Sequence, residues 1–252
     1  METREMIYDV MDACLLAGKI MLQSGAETYR VEDTMTRIAS SLGVELTHSY
    51  VTPTGIVFSV EGTRPAMTRL IRISNRTTDL KKVMQVNDVS RRISGGSIGL
   101  EEACSQLREI ERSSETYGIW TQIMAAALAS GCFTIMFLGG WPDFLPSLIA
   151  GGAGYYFVAF FHRLIPVKFF AEFVGAVVVC VVSLGFISFG LGNELDKIII
   201  GAVMPLVPGL LITNAVRDLM AGHLVSGLSK GAEAFLTAFA IGSGVAVVLS
   251  LL

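Results

Sequence analysis

The chain has 252 residues, of which 52% are hydrophobic and 16% are charged, and its mean hydropathy is +0.60. This hydropathy is too high for an ordinary soluble domain. The formal net charge of −3 provides no basic patch for nucleic acid. We therefore expect a protein of the lipid bilayer that binds no nucleic acid.

The charged residues are divided unevenly along the chain. Residues 1–117 hold 14 Lys or Arg and 16 Asp or Glu, whereas residues 118–252 hold only 5 and 6. Because about 20 apolar residues cross a bilayer as a helix, the second part is expected to lie in the membrane. The sequence predicts an α+β cytoplasmic domain over 1–117, followed by an all-α polytopic membrane domain of about five helices over 118–252.

The first domain is predicted to begin with two helices. Apolar residues at helical spacing indicate a helix over residues 4–23 and a second over residues 27–42. Ser24 and Glu27 fit a capping box at the start of the second helix, and Gly43 fits its end. Three strands and two further helices are expected to complete the domain, over residues 45–52, 56–61, 67–74, 80–93 and 100–117.

Charged side chains crowd the start of the second helix, namely Glu27, Arg30, Glu32 and Asp33. Acids at a helix start and mixed charges along a helix are more often structural than functional, so these residues are secondary candidates for a site. The sequence has neither a GxxxxGK[ST] loop nor an HExxH motif, and its four cysteines lack metal-ligand spacing. We expect no metal and no cofactor.

Five apolar stretches follow residue 117, and each is near the length that spans about 30 Å of hydrocarbon. Pro146 and three nearby glycines weaken the second of them. The stretches cover residues 119–138, 143–161, 169–191, 197–216 and 231–252.

Basic residues in the short connections predict the orientation, because Lys and Arg favour the cytoplasmic side. Arg163 and Lys168 follow the second stretch, and Arg217 and Lys230 follow the fourth. The amino terminus is therefore expected in the cytoplasm. Five spans then place the carboxyl terminus outside.

The fourth stretch is apolar enough for a bilayer but contains helix breakers. An interior proline removes a helical hydrogen bond, so the helix is expected to break at Pro205-Pro208-Gly209. Exposed amides at the start of the second half would attract a carboxylate. Gly209 would let such a ligand approach the backbone. A simple packing kink is the alternative.

Polar residues after the break extend this candidate pathway. Asn214 would form a further hydrogen bond, and Arg217 with Asp218 would form a gate or couple a proton. The alternative is an ordinary charged end at the membrane surface. Gln122 and Glu172 lie near the ends of other spans and are secondary candidates.

Small residues recur at intervals of four in the fifth stretch and in the first, a pattern that lets helices approach closely. They are Ala234, Ala238, Gly242 and Ala246, and Ala126, Ser130 and Thr134. These stripes predict packing within the chain or on a partner. Because five spans form a thin wall for a solute pathway, we expect a second membrane subunit or a homo-oligomer.

Two long segments carry a resemblance to a known family. Residues 24–43, SGAETYRVEDTMTRIASSLG, and residues 203–227, VMPLVPGLLITNAVRDLMAGHLVSG, resemble the paired signature of the threonine/serine exporter (ThrE-like) family. The order of a cytoplasmic domain and then membrane spans is also similar. Full-length members have about ten spans, so with five the chain is similar to the split, YjjP-type subunit.

The resemblance implies export of small carboxylate-bearing metabolites across the bacterial plasma membrane, threonine and serine in some members and succinate in others. It also implies a separate, smaller YjjB-type membrane subunit that supplies the remaining spans. It gives Pro208, Gly209, Asn214, Arg217 and Asp218 more weight as pathway residues, because their run belongs to the signature. The choice between an amino acid and a dicarboxylate stays open.

Two other functions remain open from the residues alone. A membrane-anchored enzyme would place its active site in residues 1–117, at the cluster from Glu27 to Asp33 or at His48. A regulatory or assembly subunit would bind a ligand in that domain and gate a partner transporter. The leading prediction is a transporter, a subunit of a secondary exporter, and not an enzyme.

Overall fold

The chain forms two compact units. The computed structural model describes residues 2–61, 66–113, 117–165, 167 and 169–251. The first unit comprises Met1–Thr116 together with Ile212–Gly231, and the second comprises Tyr117–Leu211 together with Ala232–Leu252. By its contacts, the stretch Ile212–Gly231 therefore groups with the amino-terminal part of the chain.

The first unit packs helices against one face of a three-stranded antiparallel sheet of order β1-β2-β3. Burial alternates along β2, so that Ile56, Phe58 and Val60 point into the core. The glycine at position 18 lets α1 and α2 approach closely, because a Cβ there would collide with the side chain of Met35. The elements are α1 (Glu2–Gln23), α2 (Thr28–Ser41), β1 (Thr47–Thr52), β2 (Gly55–Val60), β3 (Met67–Arg72), α3 (Leu80–Ser94) and α4 (Leu100–Arg112).

Two local predictions for this unit are wrong. The helix expected over residues 100–117 ends at Arg112, and Ser113 already has extended backbone angles; residues 114–116 lie outside the described part. The capping box is also absent, because Glu27 is the N-cap of α2 and its side chain accepts no capping hydrogen bond. Gly43 does follow the end of α2 with a positive φ of 82°, a conformation that favours glycine.

The second unit is built from long apolar helices. Among the described residues, four helices are long and apolar enough to cross a membrane, and a bent pair of shorter helices is a candidate for a fifth span. Only 28–33% of each long helix's most apolar window is buried inside the chain, so most of its surface is left for lipid or a partner. The helices are α5 (Ile119–Met136), α6 (Trp141–Leu164), α7 (Phe170–Ser188), α8 (Leu195–Val203), α9 (Gly209–Met220) and α10 (Leu224–Leu249), and the last two contribute residues to both units.

Small and hydroxyl residues form a tight seam between α5, α6 and α8. Thr134 Oγ1 donates to Ser147 Oγ at 2.6 Å. A Cβ at Gly151 would collide with Ser130, and one at Gly201 would collide with Thr134. The stripe predicted from the first apolar stretch therefore packs inside the chain, and the glycines that weakened the second stretch permit close helix packing.

The stripe on α10 behaves differently. Ala234 is buried, but Ala238, Gly242 and Ala246 are exposed. The opposite face of α10 does the packing, because a Cβ at Gly244 would collide with α7. Three of the four small residues therefore face away from the rest of the described chain.

A buried aspartate ties two loops of the second unit together. Asp143 is 0% exposed and accepts hydrogen bonds from the backbone N–H groups of Gly140 at 3.1 Å, Asn193 at 2.6 Å and Glu194 at 3.1 Å. These bonds link the turn before α6 to the loop before α8. The sequence analysis did not select this residue, because two of its three partners lie about 50 positions away along the chain.

Candidate functional site

The six primary pathway candidates fall into two groups. Pro205, Pro208 and Gly209 lie at the break before α9, within the second unit. Asn214, Arg217 and Asp218 lie further along α9, within the first unit. At 1.5 Å per helical residue, Asp218 lies about 13 Å along the helix from Gly209.

The break has a defined geometry. The helix α8 ends at Val203, a 3-10 turn covers Met204–Leu206, and α9 begins at Gly209. The axes on either side differ by 63°. The first residue of α9 is exposed, and a Cβ added there would meet no atom within 4 Å. The Cβ position of Gly209 therefore borders open space, whereas its N–H already donates to the Val207 carbonyl at 2.8 Å.

The carboxylate of Asp218 is fully buried and caps the start of α2. Its Oδ1 accepts a hydrogen bond from the Thr28 backbone N–H at 2.9 Å, and its Oδ2 accepts one from the Thr28 hydroxyl at 2.9 Å. A helix N-terminus leaves amides without helical partners and favours a negative charge. The sequence predicted a local capping box for α2. The cap is instead supplied by Asp218, 190 residues further along the chain.

A buried lysine neutralises this aspartate. Lys230 on α10 is 3% exposed and donates to Asp218 Oδ2 at 2.7 Å, to the Thr28 hydroxyl at 3.3 Å and to the Ala26 carbonyl at 3.4 Å. These three acceptors match the three protons of the ammonium group. The Ser226 hydroxyl lies 2.7 Å from that of Thr28 and completes the group. Removing one partner of such a pair leaves an uncompensated buried charge.

A second charge cluster surrounds Glu27. Arg217 donates to its Oε1 at 2.5 Å, and Arg30 donates to its Oε2 at 3.3 Å. Burial raises the pKa of this carboxyl. Its backbone hydrogen bond and the two guanidinium groups together lower the pKa by more, so the pKa lies below its ordinary value. Asn214 donates to the Gly25 carbonyl at 2.9 Å, beside this cluster.

The neighbouring acid on α2 has the opposite shift. Burial raises the pKa of Glu32 above its ordinary value, although the Val51 N–H, which donates at 3.0 Å, and His223 lower it. The charge of Asp218 adds to the increase. His223 Nδ1 lies 3.9 Å from Glu32 Oε1. Asp33 is exposed and pairs with Arg37 at the surface.

The structure does not bring the secondary candidates of the second unit into this group. Glu172 contacts His162 at 3.1 Å, and its other oxygen is buried without a hydrogen-bond partner among the described residues. Gln122 accepts a hydrogen bond from Tyr155 at 2.8 Å. Gln122 lies on α5 and Glu172 lies on α7, and each has its own contacts with α6.

The first unit has no arrangement typical of a known hydrolase or metal enzyme within its described residues. His48 is exposed and pairs with Glu61. Residues 95–99, GGSIG, match the GxSxG pattern, but they form the turn between α3 and α4 and follow no strand, as a nucleophile elbow would. No cluster of three metal-ligating side chains occurs in the described ranges.

Sequence reasoning missed three members of the site: Thr28, Ser226 and Lys230. Lys230 was interpreted only as a basic loop residue that sets orientation. One signal was available, because Ser226 and Lys230 are spaced by four residues and therefore share one face of a helix. Thr28 belongs to residues 24–43, whereas Asp218 and Ser226 belong to residues 203–227. The two signature segments therefore meet in one buried site.

Comparison with known proteins identifies the family. The family model described as "Putative threonine/serine exporter" (ThrE) matches residues 12–252. The chain belongs to the threonine/serine exporter family. The names of the family and of its exporter relatives indicate a transporter, so the chain is a multi-pass membrane transporter and not an enzyme.

Relatives within the exporter family cover this chain almost completely. "Probable succinate transporter subunit YjjP" of Escherichia coli is 24% identical over 94% of this chain and 93% of its own length. "Threonine/serine exporter" of Corynebacterium glutamicum is 24% identical over 97% of this chain but 52% of its own length. "Probable threonine/serine exporter" of Mycobacterium tuberculosis is 24% identical over 91% of this chain and 44% of its own length. No solved structure matches the chain significantly.

Proposed function

We propose that the chain is a subunit of a secondary exporter that moves small carboxylate-bearing metabolites across the bacterial plasma membrane. The observation that carries this proposal is the bent segment formed by Leu195–Leu206 and Gly209–Met220, with its 63° bend. Broken helices at membrane depth are tolerated where they line a cavity or a binding site. The relatives named as exporters of threonine and serine and as a succinate transporter subunit support the substrate class.

The substrate carboxylate is proposed to meet the first turn of α9. Amides at a helix start and the helix dipole attract anions. The absence of a side chain at Gly209, with open space where its Cβ would lie, supports a close approach of the ligand. Pro205 and Pro208 would hold the break open. Gln122 and Glu172 are kept as secondary pathway candidates.

The proposal also covers the orientation of the chain in the membrane and a partner subunit. Arg163 and Arg217, in the last turns of α6 and α9, support a cytoplasmic amino-terminal domain over residues 1–117 and a carboxyl terminus outside. The relative named as a subunit supports a second membrane subunit, of the YjjB type, or a homo-oligomer. The exposed stripe of Ala238, Gly242 and Ala246 on α10 is our candidate for the surface that such a partner would cover.

The charged end of α9 is proposed to act as the gate. Arg217 is half exposed while its partner Glu27 is buried, so the guanidinium group borders solvent and can attract an anion. Asn214 holds α9 against the Gly25 carbonyl. The secondary candidates Arg30, Glu32 and Asp33 lie near the start of α2, next to Glu27 in the sequence.

Counterflow in proteoliposomes tests the function. Vesicles preloaded with unlabelled threonine, serine or succinate should take up the labelled form of at least one of them, with the partner subunit present or absent. No flux of any of the three under either condition would overturn the proposal.

A glycine substitution tests the proposed site. Gly209→Ala should fold, because its Cβ meets no atom, but should raise the KM for counterflow by crowding the α9 amides. Gly185→Ala on α7 is the matched control, since its Cβ is equally unobstructed. Equal KM values for both variants and the wild type would place the substrate elsewhere.

A further inference from the structure

The second unit contains a carboxylate oxygen that is buried without a partner. Glu172 lies in the first turn of α7, and its side chain is 16% exposed. His162 Nε2 lies 3.1 Å from its Oε1. Its Oε2 is buried and accepts no hydrogen bond from the described residues. Because a carboxylate oxygen removed from water is costly unless a donor reaches it, Oε2 is suited to a donor that a ligand supplies.

Helix capping does not account for this oxygen. A glutamate at the third position of a helix commonly accepts a hydrogen bond from the backbone N–H of the N-cap. Glu172 is the third residue of α7, but its Oε2 makes no such bond. The helix dipole favours an acid in this turn, but it supplies no donor to Oε2. The position in the helix therefore explains the charge of Glu172 and not its unpartnered oxygen.

The packing of α7 places Glu172 level with the break before α9. Residues of α7 share apolar clusters with α8 and the 3-10 turn after it: Cys180 with Ile199, Val179 with Ala202, and Ala176 with Leu206. The numbers fall along α7 as they rise toward the break, so the two segments run antiparallel. Glu172 precedes Ala176 by four residues and therefore lies on the same face, one turn further along. Gly209 follows Leu206 by three residues, in the same direction.

Groups of opposite preference therefore occur at this level of the second unit. The Cβ position of Gly209 is open, and the amides of Leu210 and Leu211 lie in the first turn of α9, where a helix supplies no carbonyl partner. These amides favour an anion, whereas the unpartnered oxygen of Glu172 favours a cationic donor. A dicarboxylate satisfies only the amides, and Glu172 repels its second charge. An α-amino acid carries one group for each.

We propose that Glu172 is a specificity-determining residue of the exporter, whose Oε2 accepts a hydrogen bond from the ammonium group of an α-amino acid. The amides of α9 hold the carboxylate of the same molecule. This inference rests on the proposed function. His162 engages Oε1 and leaves Oε2 for the ligand. The residue therefore selects substrates with a free ammonium group against dicarboxylates.

Competition in proteoliposome counterflow tests this role with the full chain, with the partner subunit present or absent. Threonine and serine are each compared with the analogue that carries a hydroxyl in place of the ammonium, 2,3-dihydroxybutanoate and glycerate, and with succinate. Each amino acid should inhibit counterflow of its labelled form at least about tenfold more strongly than its analogue, because a hydrogen bond to a charged group is lost. Equal inhibition by amino acid and analogue would overturn the inference.

A variant separates ligand binding from a structural role. Glu172→Gln should weaken inhibition by the amino acid about tenfold, while inhibition by the hydroxyl analogue and by succinate stays equal or becomes stronger. Glu194→Gln, an exposed glutamate at the N-cap of α8, is the matched control and should keep the wild-type preference. An equal change for all competitors in Glu172→Gln would show a structural role and overturn the inference. If this variant does not fold, the competition in the wild type still decides the matter.

The outcome is distinguishable from failure of the exporter function. Counterflow of succinate without counterflow of threonine or serine would overturn the role of Glu172 and leave the exporter function standing. No flux of any of the three would overturn the exporter function, and this inference with it.

Discussion

Two aspartates are fully buried in the described part of the chain, and the two units satisfy them in different ways. In the first unit, Asp218 pairs with the Lys230 ammonium and caps α2. In the second, Asp143 accepts hydrogen bonds from three backbone N–H groups of two loops. An ammonium group is lost with one side chain, whereas backbone amides remain whatever the sequence. The comparison therefore identifies Asp218 as the aspartate whose charge balance depends on a single side chain.

The largest effect is expected from Lys230→Met. Removing the ammonium leaves Asp218 buried and uncompensated, which should destabilise the first unit by about 3–5 kcal/mol. Chemical denaturation in detergent, followed by circular dichroism, measures the loss. The double variant with Asp218→Asn should recover most of it, because no charge is then left unpaired. A loss below about 1 kcal/mol for the single variant would contradict the comparison.

A smaller effect is expected from Asp143→Asn. The amide replaces one acceptor oxygen with a donor that faces backbone N–H groups, and hydrogen bonds to a charged group contribute about 1.5–3 kcal/mol each. We expect a loss near the middle of that range and faster proteolysis of the loop at residues 190–194. Unchanged proteolysis would show that Asp143 does not hold this loop.

Glu27, like Asp218, pairs with cationic side chains, but its cations Arg30 and Arg217 are about half exposed. Its pKa is lowered in the folded state, so its ionised form stabilises the fold above the ordinary pKa of a glutamate. That contribution is lost as the pH falls through the folded-state pKa. Glu27→Gln should therefore cost about 1 kcal/mol at pH 7 and nothing in strong acid. A cost that does not change with pH would argue for packing rather than charge.

Glu32, like Asp143, accepts a hydrogen bond from a backbone N–H, that of Val51. Its pKa is raised in the folded state, so the fold favours the protonated form. The stability that this gives is present in acid and is lost as the pH rises through the folded-state pKa. Glu32→Gln keeps an acceptor for Val51 and should be equal to the wild type in acid and up to about 0.5 kcal/mol more stable at pH 8. Lower stability at pH 8 would contradict this sign.

Much of the architecture was predictable from local patterns. The three short strands and the apolar helices follow from composition and periodicity over short windows. The break before α9 was predictable because prolines disrupt any helix. The cap of α2 was not, because Asp218 supplies it from 190 residues away.

The candidate site was only half predictable. Asn214, Arg217 and Asp218 were selected because polar residues in an apolar stretch are costly. Thr28, Ser226 and Lys230 were missed, since each has an ordinary local explanation as a helix start or a loop charge. Their role depends on a pairing between residues separated by up to 202 positions.

The sequence by itself determined the two kinds of segment, the family and the broken helix, since these depend on side-chain polarity and backbone chemistry within a few turns. Only the tertiary structure decided that the Asp218 carboxylate ends at the start of α2 beside Lys230. That outcome depends on how helices pack, and packing brings together groups that no local pattern connects. The same packing decided that the small-residue stripe of α5 is buried within the chain and that most of the stripe on α10 is exposed.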